Sequence, residues 1–328
     1  GGPLFLGGGT PEESELSLSM LSMKKRDLIS IQDLSPQEIV SLFALASRLK
    51  KSKAKRTHEL QGKSIGLLFQ KPSNRTRVSF EVGIAQLGGN CIYLSPEEID
   101  LGKRESTQDV AMTLSRYLDG LIARTHHHQD VVDLARYASI PVINGLSDLS
   151  HPCQGLADIF SIKERFKGLK GLTMAYVGDG NNVCHSLMLG ASKVGLHMRI
   201  ATPSGYEPRE DIVEAAKNFA KTSGAEITLT HSPQEAVKGA QVIYTDVWTS
   251  MGQEADSEKR LKDFQGFQIN AGLLKNADQN YIFMHCLPAH RSQEVTAEVI
   301  DGPHSIVFDQ AENRMHVQKA VLMFLLGG

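Results

Sequence analysis

The sequence predicts an α/β fold in which two doubly wound parallel-sheet domains follow one another. Short apolar runs alternate with amphipathic helical segments from about residue 24 to the C-terminus, and this alternation is typical of parallel strands joined by right-handed crossovers. The 328 residues are enough for two separate cores. The motifs that could carry chemistry follow strands, at the edge where ligands bind in open parallel sheets.

The first half of the chain carries the strand and helix patterns of one domain. Segment 36–50 has apolar residues at helical spacing behind Ser35, a residue type suited to an N-cap. Ser64–Phe69 is a short apolar run typical of a buried parallel strand. Helices are also predicted at 77–87, 129–137 and about 155–166, with strands at 120–122 and 141–144.

A second series begins after the junction at 167–171. It contains predicted strands and helices in alternation, at 172–177, Asn182–Val194, His197–Ala201, 210–222, Ile227–Thr230, Val242–Thr245 and Ile282–His285. A last helix at about 310–326 could pack on either domain. We expect one domain at 24–151 plus 310–328 and the other at 152–309.

The composition argues against several classes of protein. A net charge of -2 gives no reason to expect a nucleic-acid or anionic-membrane partner, and no apolar run approaches the roughly 20 residues that cross a bilayer. Four widely spaced cysteines favour a reducing compartment, which we expect to be the cytoplasm. Residues 1–23 are acidic and rich in Gly and Ser, unlike a transit or signal peptide. We interpret them as a disordered leader or an expression-vector remnant; an organellar matrix stays open if a transit peptide has been removed.

An anion site is predicted directly after the first strand. Segment 70–77 opens a helix, whose free backbone N–H groups attract phosphate. Ser73 and Thr76 add hydroxyl groups, and Arg75 and Arg77 add guanidinium forks. Two arginines in a first helical turn oppose the helix dipole, so they call for an anionic partner. The alternative is a solvated basic helix start.

Segment 73–77 resembles the carbamoyl phosphate signature of the aspartate and ornithine carbamoyltransferase family, and the family's later landmarks follow in order. The resemblance implies that 24–151 plus 310–328 binds carbamoyl phosphate, that 152–309 binds ornithine, and that the active site lies in the cleft between them. It also implies a set of phosphate contacts from Ser73, Asn74, Arg75, Thr76 and Arg77.

Further landmarks are expected around the carbamoyl group. By resemblance these are Arg124, His151 and Gln154, joined by Cys286 and Leu287 of a His-Cys-Leu-Pro motif and by Arg314 of the last helix. Arg124 and His151 could stabilise an oxyanion, and the Gln154 carbonyl could accept a hydrogen bond from the carbamoyl NH2. The alternative role of His151 is capping or packing at a helix start.

Two segments resemble the amine site of ornithine members of the family. The turn that ends at Asn182 implies contacts with the α-carboxylate and α-amino group of ornithine. The segment 246–254 implies that Asp246 pairs with the amino groups, while Ser250 and Met251 hold the α-amino-acid end. We expect Asn181 to make only local turn hydrogen bonds, with an αL backbone conformation.

No cofactor and no metal are predicted. The turn at 178–182 has Val183 in place of the third glycine of the dinucleotide fingerprint, which disfavours an NAD-dependent dehydrogenase. The consecutive side chains of the 126–128 histidine run should point in different directions rather than share one ion. For the same reason His285 and Cys286 are expected to point apart.

The resemblance implies transfer of the carbamoyl group of carbamoyl phosphate to the δ-amine of L-ornithine, giving L-citrulline and phosphate, in a homotrimer or a multiple of trimers. Arg124, His151, Asp246 and Cys286 would be the catalytic residues. Transfer to N-acylornithine or aspartate, and a non-catalytic paralogue, are the alternatives; the anabolic or catabolic direction is open.

One loop departs from the family pattern. Segment 95–105 corresponds to a loop that reaches into a neighbouring subunit's site, and it places Asp100 there, where a carboxylate would repel phosphate. Either Lys103 or Arg104 turns inward, or this contact is absent.

Overall fold

The computed structural model describes residues 25–54, 56–99, 101–102, 104–250 and 254–327. The strands found in these ranges are β1 Ser64–Phe69, β2 Asn90–Leu94, β3 Gly120–Arg124, β4 Val142–Leu146, β5 Thr173–Val177, β6 His197–Ala201, β7 Ile227–Thr230, β8 Val242–Thr245 and β9 Ile282–His285. They form two sheets, in the orders β2-β1-β3-β4 and β7-β6-β5-β8-β9. Every neighbouring pair is parallel. The predicted pair of doubly wound parallel sheets is confirmed.

Helices cover both faces of each sheet. They are α1 Pro36–Lys51, α2 Asn74–Gln86, α3 Pro96–Ile99, α4 Thr107–Leu114, α5 His128–Tyr137, α6 Pro152–Phe166, α7 Asn182–Val194, α8 Glu210–Ser223, α9 Pro233–Val237, α10 Ser257–Asp263, α11 Ala271–Leu274, α12 Ala297–Ile300 and α13 Val307–Leu326. None of the described helices is long and apolar enough to span a membrane. The predicted leader at 1–23, Asp100, Lys103 and Met251 lie outside the described residues.

Helix starts follow the local capping chemistry of the sequence. The Ser35 hydroxyl accepts from the Glu38 N–H at 3.2 Å, and the Glu38 carboxylate accepts from the Ser35 N–H at 2.8 Å. This capping box begins α1 where the sequence predicts it. Helix α2 begins at Asn74, earlier than predicted, because Ser73 caps it through the Thr76 N–H. Strand β2 was not predicted, although residues 91–94 are a short apolar run; its side chains are half-buried or exposed.

A shared layer of helices joins the two sheets. Helix α13 packs against α1, α2 and α6, and α6 packs against α7. Helices α6 and α7 approach closely at Gly190, where a Cβ atom would lie 2.3 Å from Ile159 Cδ1. One hydrophobic core, which includes Phe160, Met188 and Leu322, therefore runs through both halves of the chain. The division of the chain at residue 151 stays a prediction.

A buried lysine also ties the two halves together. Lys193, near the end of α7, donates to the carbonyl oxygens of Ile31 at 3.1 Å, Gln32 at 2.9 Å and Leu34 at 2.5 Å. These carbonyls belong to a short 3-10 helix, Ile31–Asp33, and to the residue after it; the Ile31 carbonyl also accepts from a backbone donor, the Leu34 N–H at 3.2 Å. The ammonium group therefore anchors the N-terminal segment on the second sheet's helix.

Candidate functional site

The segment after β1 is held at the carboxyl edge of the first sheet. The Gln70 N–H donates to the Arg124 carbonyl at 2.8 Å, and the Gln70 side-chain oxygen accepts from the His126 N–H at 2.7 Å. These bonds join the end of β1 to the end of β3. The start of α2 therefore lies beside the end of β3, where Arg124 is.

Three arginines and one histidine converge at this site. Arg124 is 4% exposed and Arg314 is 3% exposed. Arg314 donates to the buried hydroxyl of Thr76 at 2.9 Å. Burial, followed by the charges of Arg314 and Arg75, lowers the pKa of Arg124 to about 10. Burial also lowers the pKa of Arg314. The protein thus concentrates positive charge where water cannot screen it.

Several donors of this cationic cluster, defined as Arg75, Arg124 and Arg314, are unused. Among the described residues, the Nε atoms of Arg124 and Arg314 and the Nδ1 atom of His151 are buried without a hydrogen-bond partner. Burial and then the nearby arginines lower the pKa of His151 well below its ordinary value, so its ring is neutral. Buried polar atoms are rarely left unpaired. The arrangement is suited to an anion that carries several acceptor oxygens.

Arg77 differs from the other residues of this segment. Its Nε donates to the Glu81 carboxylate at 2.8 Å, and its guanidinium lies 3.6 Å from the centre of the Tyr93 ring. A phosphate would have to compete with both partners. The predicted contact between Arg77 and phosphate stays a prediction, as does that of Asn74, which is exposed at the start of α2.

A buried polar network lies behind this half of the site. Gln154 is buried in the first turn of α6, and its Nε2 donates to Asp158 at 2.8 Å. Asp158 also accepts from the Gln310 side chain at 2.7 Å and from the Tyr244 hydroxyl at 2.9 Å. Sequence reasoning found Gln154 and missed the network around it.

Asp246 lies at the carboxyl end of β8 and is 5% exposed. Its carboxylate accepts from the Asn181 side chain at 2.7 Å, from the Val247 N–H at 2.8 Å and from the Cys286 thiol at 3.0 Å. Burial, and then the Asp246 charge, raises the pKa of the Cys286 thiol well above its ordinary value. Cys286 is therefore a thiol donor at neutral pH and not a thiolate nucleophile.

The paired asparagines have separate partners. The Asn181 side-chain oxygen accepts from the Val183 and Cys184 N–H groups and caps α7, while its amide nitrogen orients Asp246. The expectation that Asn181 makes only local hydrogen bonds is wrong, and its backbone is extended rather than αL. Asn182 donates to the Ser147 carbonyl at 2.7 Å.

The segment after Asp246 is held by a residue that sequence reasoning missed. Arg260 of α10 donates to the Asp179 carboxylate at 2.9 Å and to the Trp248 carbonyl at 2.7 Å. Ser250 is half-buried at the end of this described segment. Arg260 therefore joins the segment after Asp246 to the turn that precedes α7.

The His-Cys-Leu-Pro motif follows β9. The His285 Nδ1 accepts from the Leu287 N–H at 2.9 Å, so the ring proton is on Nε2, which donates to Glu294 at 3.0 Å. Leu287 has a positive φ of 59° and a cis peptide bond to Pro288.

Three possible metal ligands meet at this motif. A His285 nitrogen, the Cys286 sulfur and an Asp246 oxygen lie within 4.8 Å of one another. The expectation that His285 and Cys286 point apart is therefore wrong, because the regular strand ends at His285. Both ring nitrogens and the thiol already have protein partners, so an ion could bind only by displacing those hydrogen bonds.

The histidine run has separate partners as well. His128 Nδ1 lies 2.7 Å from the Ser147 hydroxyl, whereas His127 Nδ1 lies 3.6 Å from the Asp148 carboxylate. Their side chains are bound to different groups, so nothing in this geometry assembles a metal site.

The glycine turn before α7 leaves no room for a pyrophosphate. A Cβ atom on Gly180 would lie 2.3 Å from the backbone nitrogen of Pro208, so the chain at 207–208 covers the turn. A dinucleotide phosphate would bind the backbone N–H groups in the first turn of α7. Two of these, from Val183 and Cys184, already donate to the Asn181 side chain. This packing argues against the dehydrogenase alternative.

Comparisons with known proteins cover nearly the whole chain. The family described as "Aspartate/ornithine carbamoyltransferase, carbamoyl-P binding domain" matches residues 26–164, and the one described as "Aspartate/ornithine carbamoyltransferase, Asp/Orn binding domain" matches residues 170–325. An ornithine carbamoyltransferase of Pyrococcus horikoshii is 53% identical over 311 residues, which is 94% of this chain and 98% of the relative.

Solved structures similar to this chain are also ornithine carbamoyltransferases. An ornithine carbamoyltransferase from Pyrococcus furiosus superposes with a TM-score of 0.90 at 52% identity, covering 94% of this chain and 99% of that one. An anabolic ornithine carbamoyltransferase from Campylobacter jejuni has a TM-score of 0.87 at 38% identity, covering 92% and 98%.

Proposed function

The chain belongs to the aspartate/ornithine carbamoyltransferase family, and we propose that it transfers the carbamoyl group of carbamoyl phosphate to the δ-amine of L-ornithine, giving L-citrulline and phosphate. The observation that carries the proposal is the cationic cluster with unused buried donors, close to a carboxylate and a thiol. Gln154 is joined to the backbone N–H of His285, next to Cys286, through Asp158 and Gln310, so the two half-sites adjoin.

The cationic cluster would bind the donor. Arg75, Ser73, Asn74 and Thr76 at the start of α2 would hold the phosphate, with Arg77 joining them if it leaves Glu81. Arg314 would reach the same anion from α13, because its guanidinium already contacts Thr76. A multiply charged phosphate would relieve the repulsion among these arginines.

The carbamoyl group would lie between Arg124 and His151. A neutral His151 and a charged Arg124 can both donate to the carbonyl oxygen, which gains negative charge as the amine attacks. The Gln154 carbonyl would accept from the carbamoyl NH2, and the backbone of Leu287 would add a contact. Cys286 would contact the same group from the other side.

Ornithine would bind in the other half-site. Asp246 would attract its cationic amino groups, because an ammonium in a buried cleft needs a carboxylate partner. Asn182, Ser250 and Met251 would hold the α-amino-acid end. Once the δ-ammonium releases a proton to solvent, its lone pair attacks the carbamoyl carbon. The bond from that carbon to the phosphate oxygen then breaks, and the departing phosphate takes up one of the two protons still on the attacking nitrogen, the other staying on citrulline. No electron carrier or metal is needed for this balance.

Assembly and direction are also proposed. We propose a homotrimer, or a multiple of trimers, because the resemblance places loop 95–105 of a neighbouring subunit at the site. Within its own chain, Arg104 of this loop donates to the Glu98 carbonyl. All four cysteines are unpaired, which fits the reducing compartment proposed, the cytoplasm. A relative from Pyrococcus furiosus is named anabolic, and we propose the citrulline-forming direction here.

A single assay tests the function. The protein is incubated with carbamoyl phosphate and, in separate reactions, ornithine, N-acetylornithine or aspartate, and the carbamoylated product and phosphate are measured. We expect citrulline and phosphate in equal amounts with ornithine alone. Product with another amine would reassign the acceptor, and no product with any amine would support a non-catalytic paralogue.

A further inference from the structure

We propose that Asp158 is a positioning residue that fixes the orientation of the Gln154 side-chain amide and thereby makes the protein select a carbamoyl over an acetyl donor. This inference rests on the proposed function. Asp158 itself is not proposed to contact the substrate.

Asp158 lies one helical turn after Gln154 in α6 and has 0% exposure. One carboxylate oxygen accepts from the Nε2 atoms of Gln154, at 2.8 Å, and of Gln310, at 2.7 Å. The other accepts from the Tyr244 hydroxyl at 2.9 Å. Although burial raises the pKa of Asp158 to about 6, the group is still a carboxylate at pH 7.5. A carboxylate only accepts hydrogen bonds, so all three neighbours must donate to it.

The direction of these bonds is fixed from the backbone. The His285 N–H can only donate, and it donates to the Gln310 side-chain oxygen at 3.0 Å. The NH2 group of Gln310 must therefore face Asp158. Asp158 likewise accepts a hydrogen bond from the NH2 group of Gln154. The side-chain carbonyl oxygen of Gln154 therefore faces away from Asp158, toward the proposed substrate. The orientation follows from obligatory donors and acceptors, whereas the electron density of an amide would not distinguish it.

An outward carbonyl oxygen distinguishes two donors of nearly equal shape. The NH2 of carbamoyl phosphate can donate to it, but the methyl group of acetyl phosphate cannot. A site built to hydrogen-bond a substrate group rejects an analogue that lacks the group, because a buried acceptor is then left unpaired. We expect a preference of about 10- to 100-fold from this contact.

Asp158→Leu should release the orientation. Leucine has nearly the shape of aspartate but offers no acceptor, so nothing holds the NH2 group of Gln154 in place. The Gln154 amide can then turn its NH2 toward the substrate, where it meets the carbamoyl NH2 donor to donor. We expect kcat/KM for carbamoyl phosphate to fall about tenfold, while the inhibition constant of acetyl phosphate, a competitor for the same site, changes less than threefold.

The test compares four proteins: the parent, Asp158→Leu, Asp158→Asn and Gln154→Met. For each, the KM of carbamoyl phosphate, the inhibition constants of acetyl phosphate and inorganic phosphate, and thermal unfolding are measured. Asp158→Asn is the matched control, because its oxygen can keep accepting from Gln154 and Gln310 while its NH2 group donates to the Tyr244 hydroxyl, so the selectivity ratio should stay near the parent value. Inorganic phosphate should bind all four equally, because it lacks both the NH2 and the methyl group.

Two results would overturn the inference. One is an unchanged carbamoyl-to-acetyl ratio in a folded Asp158→Leu protein. The other is an unchanged ratio in Gln154→Met, which decides the matter even if the Asp158 variant does not fold. A double variant of Asp158→Leu and Gln154→Met should show no further loss of the ratio beyond Gln154→Met alone, because Asp158 acts through Gln154. A parent protein that forms no citrulline would instead refute the proposed function, and the ratio would then be measured as the dissociation constants of carbamoyl phosphate and acetyl phosphate by calorimetric titration.

Discussion

Replacing Arg124 with methionine should change stability and ligand binding in opposite directions. Methionine keeps an unbranched apolar side chain in the buried site but removes the charge. A fall in pKa from the ordinary 12.5 to about 10 corresponds to about 3 kcal/mol against the charged form. Because Arg124 is charged at all pH values below about 10, this destabilisation applies in full at neutral pH. We expect the ligand-free variant to be at least as stable as the parent, with a gain of up to about 3 kcal/mol in the free energy of unfolding.

Binding of the donor should weaken in the same variant. One charge-assisted hydrogen bond to an anion contributes on the order of 1.5–3 kcal/mol, or roughly tenfold to 150-fold in the dissociation constant. The catalytic rate should fall further, because Arg124 is proposed to stabilise the oxyanion.

Denaturant unfolding of the ligand-free protein and calorimetric titration with carbamoyl phosphate measure the two effects. Arg116→Met is the matched control, because Arg116 is an exposed arginine shortly before β3. It should leave both quantities within experimental error. If Arg124→Met lost stability without ligand and kept normal affinity for carbamoyl phosphate, Arg124 would be a structural arginine, and the argument from the cationic cluster would fail.

Three further perturbations test other parts of the site. Asp246→Asn should cause a large loss of kcat/KM for ornithine with little change in carbamoyl phosphate affinity, since an amide poorly compensates a buried ammonium; the reverse pattern in titrations would show that the half-sites are exchanged. Lys193→Met should lower the free energy of unfolding by about 2–4 kcal/mol, because three backbone carbonyls lose a charged donor, whereas exposed Lys221→Met should have almost no effect in the same denaturation experiment. Dialysis against a chelator should leave citrulline formation unchanged, and activity that is lost and then restored by zinc would instead place an ion at Asp246, His285 and Cys286.

Much of the fold could be predicted because its determinants are local. The apolar run of β1 and the Ser35 cap of α1 specify their elements within a few neighbouring residues. The residues beyond the strand ends could likewise be placed together, because parallel strands bring their carboxyl ends to one edge. Strand β2 escaped prediction because a run of only four apolar residues does not by itself distinguish a strand from other buried segments.

The buried polar network could not be predicted because its members come from distant parts of the chain. Asp158 and Gln310 are 152 positions apart, and Tyr244 lies on a third element. The sequence alone also suggested a purely local role for Asn181. In the structure its side chain has two roles, because the oxygen caps α7 and the nitrogen donates to Asp246, which is 65 positions away. The signal that could have found Asp158 is its position, because it is the one charged residue in segment 152–162 of α6, all of which is buried.

The two half-sites are electrostatically unequal, and this inequality favours an order of binding. In the protein alone, the Asp246 carboxylate already has three donors, so it gains little from a first ligand. The cationic cluster has unused donors and mutually repelling charges, so an anion gains both contacts and relief of repulsion. Ornithine carries two ammonium groups into the neighbouring half-site, and in a site of low dielectric the uncompensated arginines repel them. Once carbamoyl phosphate neutralises the cluster, that repulsion is lost, and the same carboxylate can exchange its protein donors for ornithine. From this charge distribution we expect the donor to bind first and ornithine second, so ornithine alone should show weak binding in a calorimetric titration that tightens when carbamoyl phosphate is present.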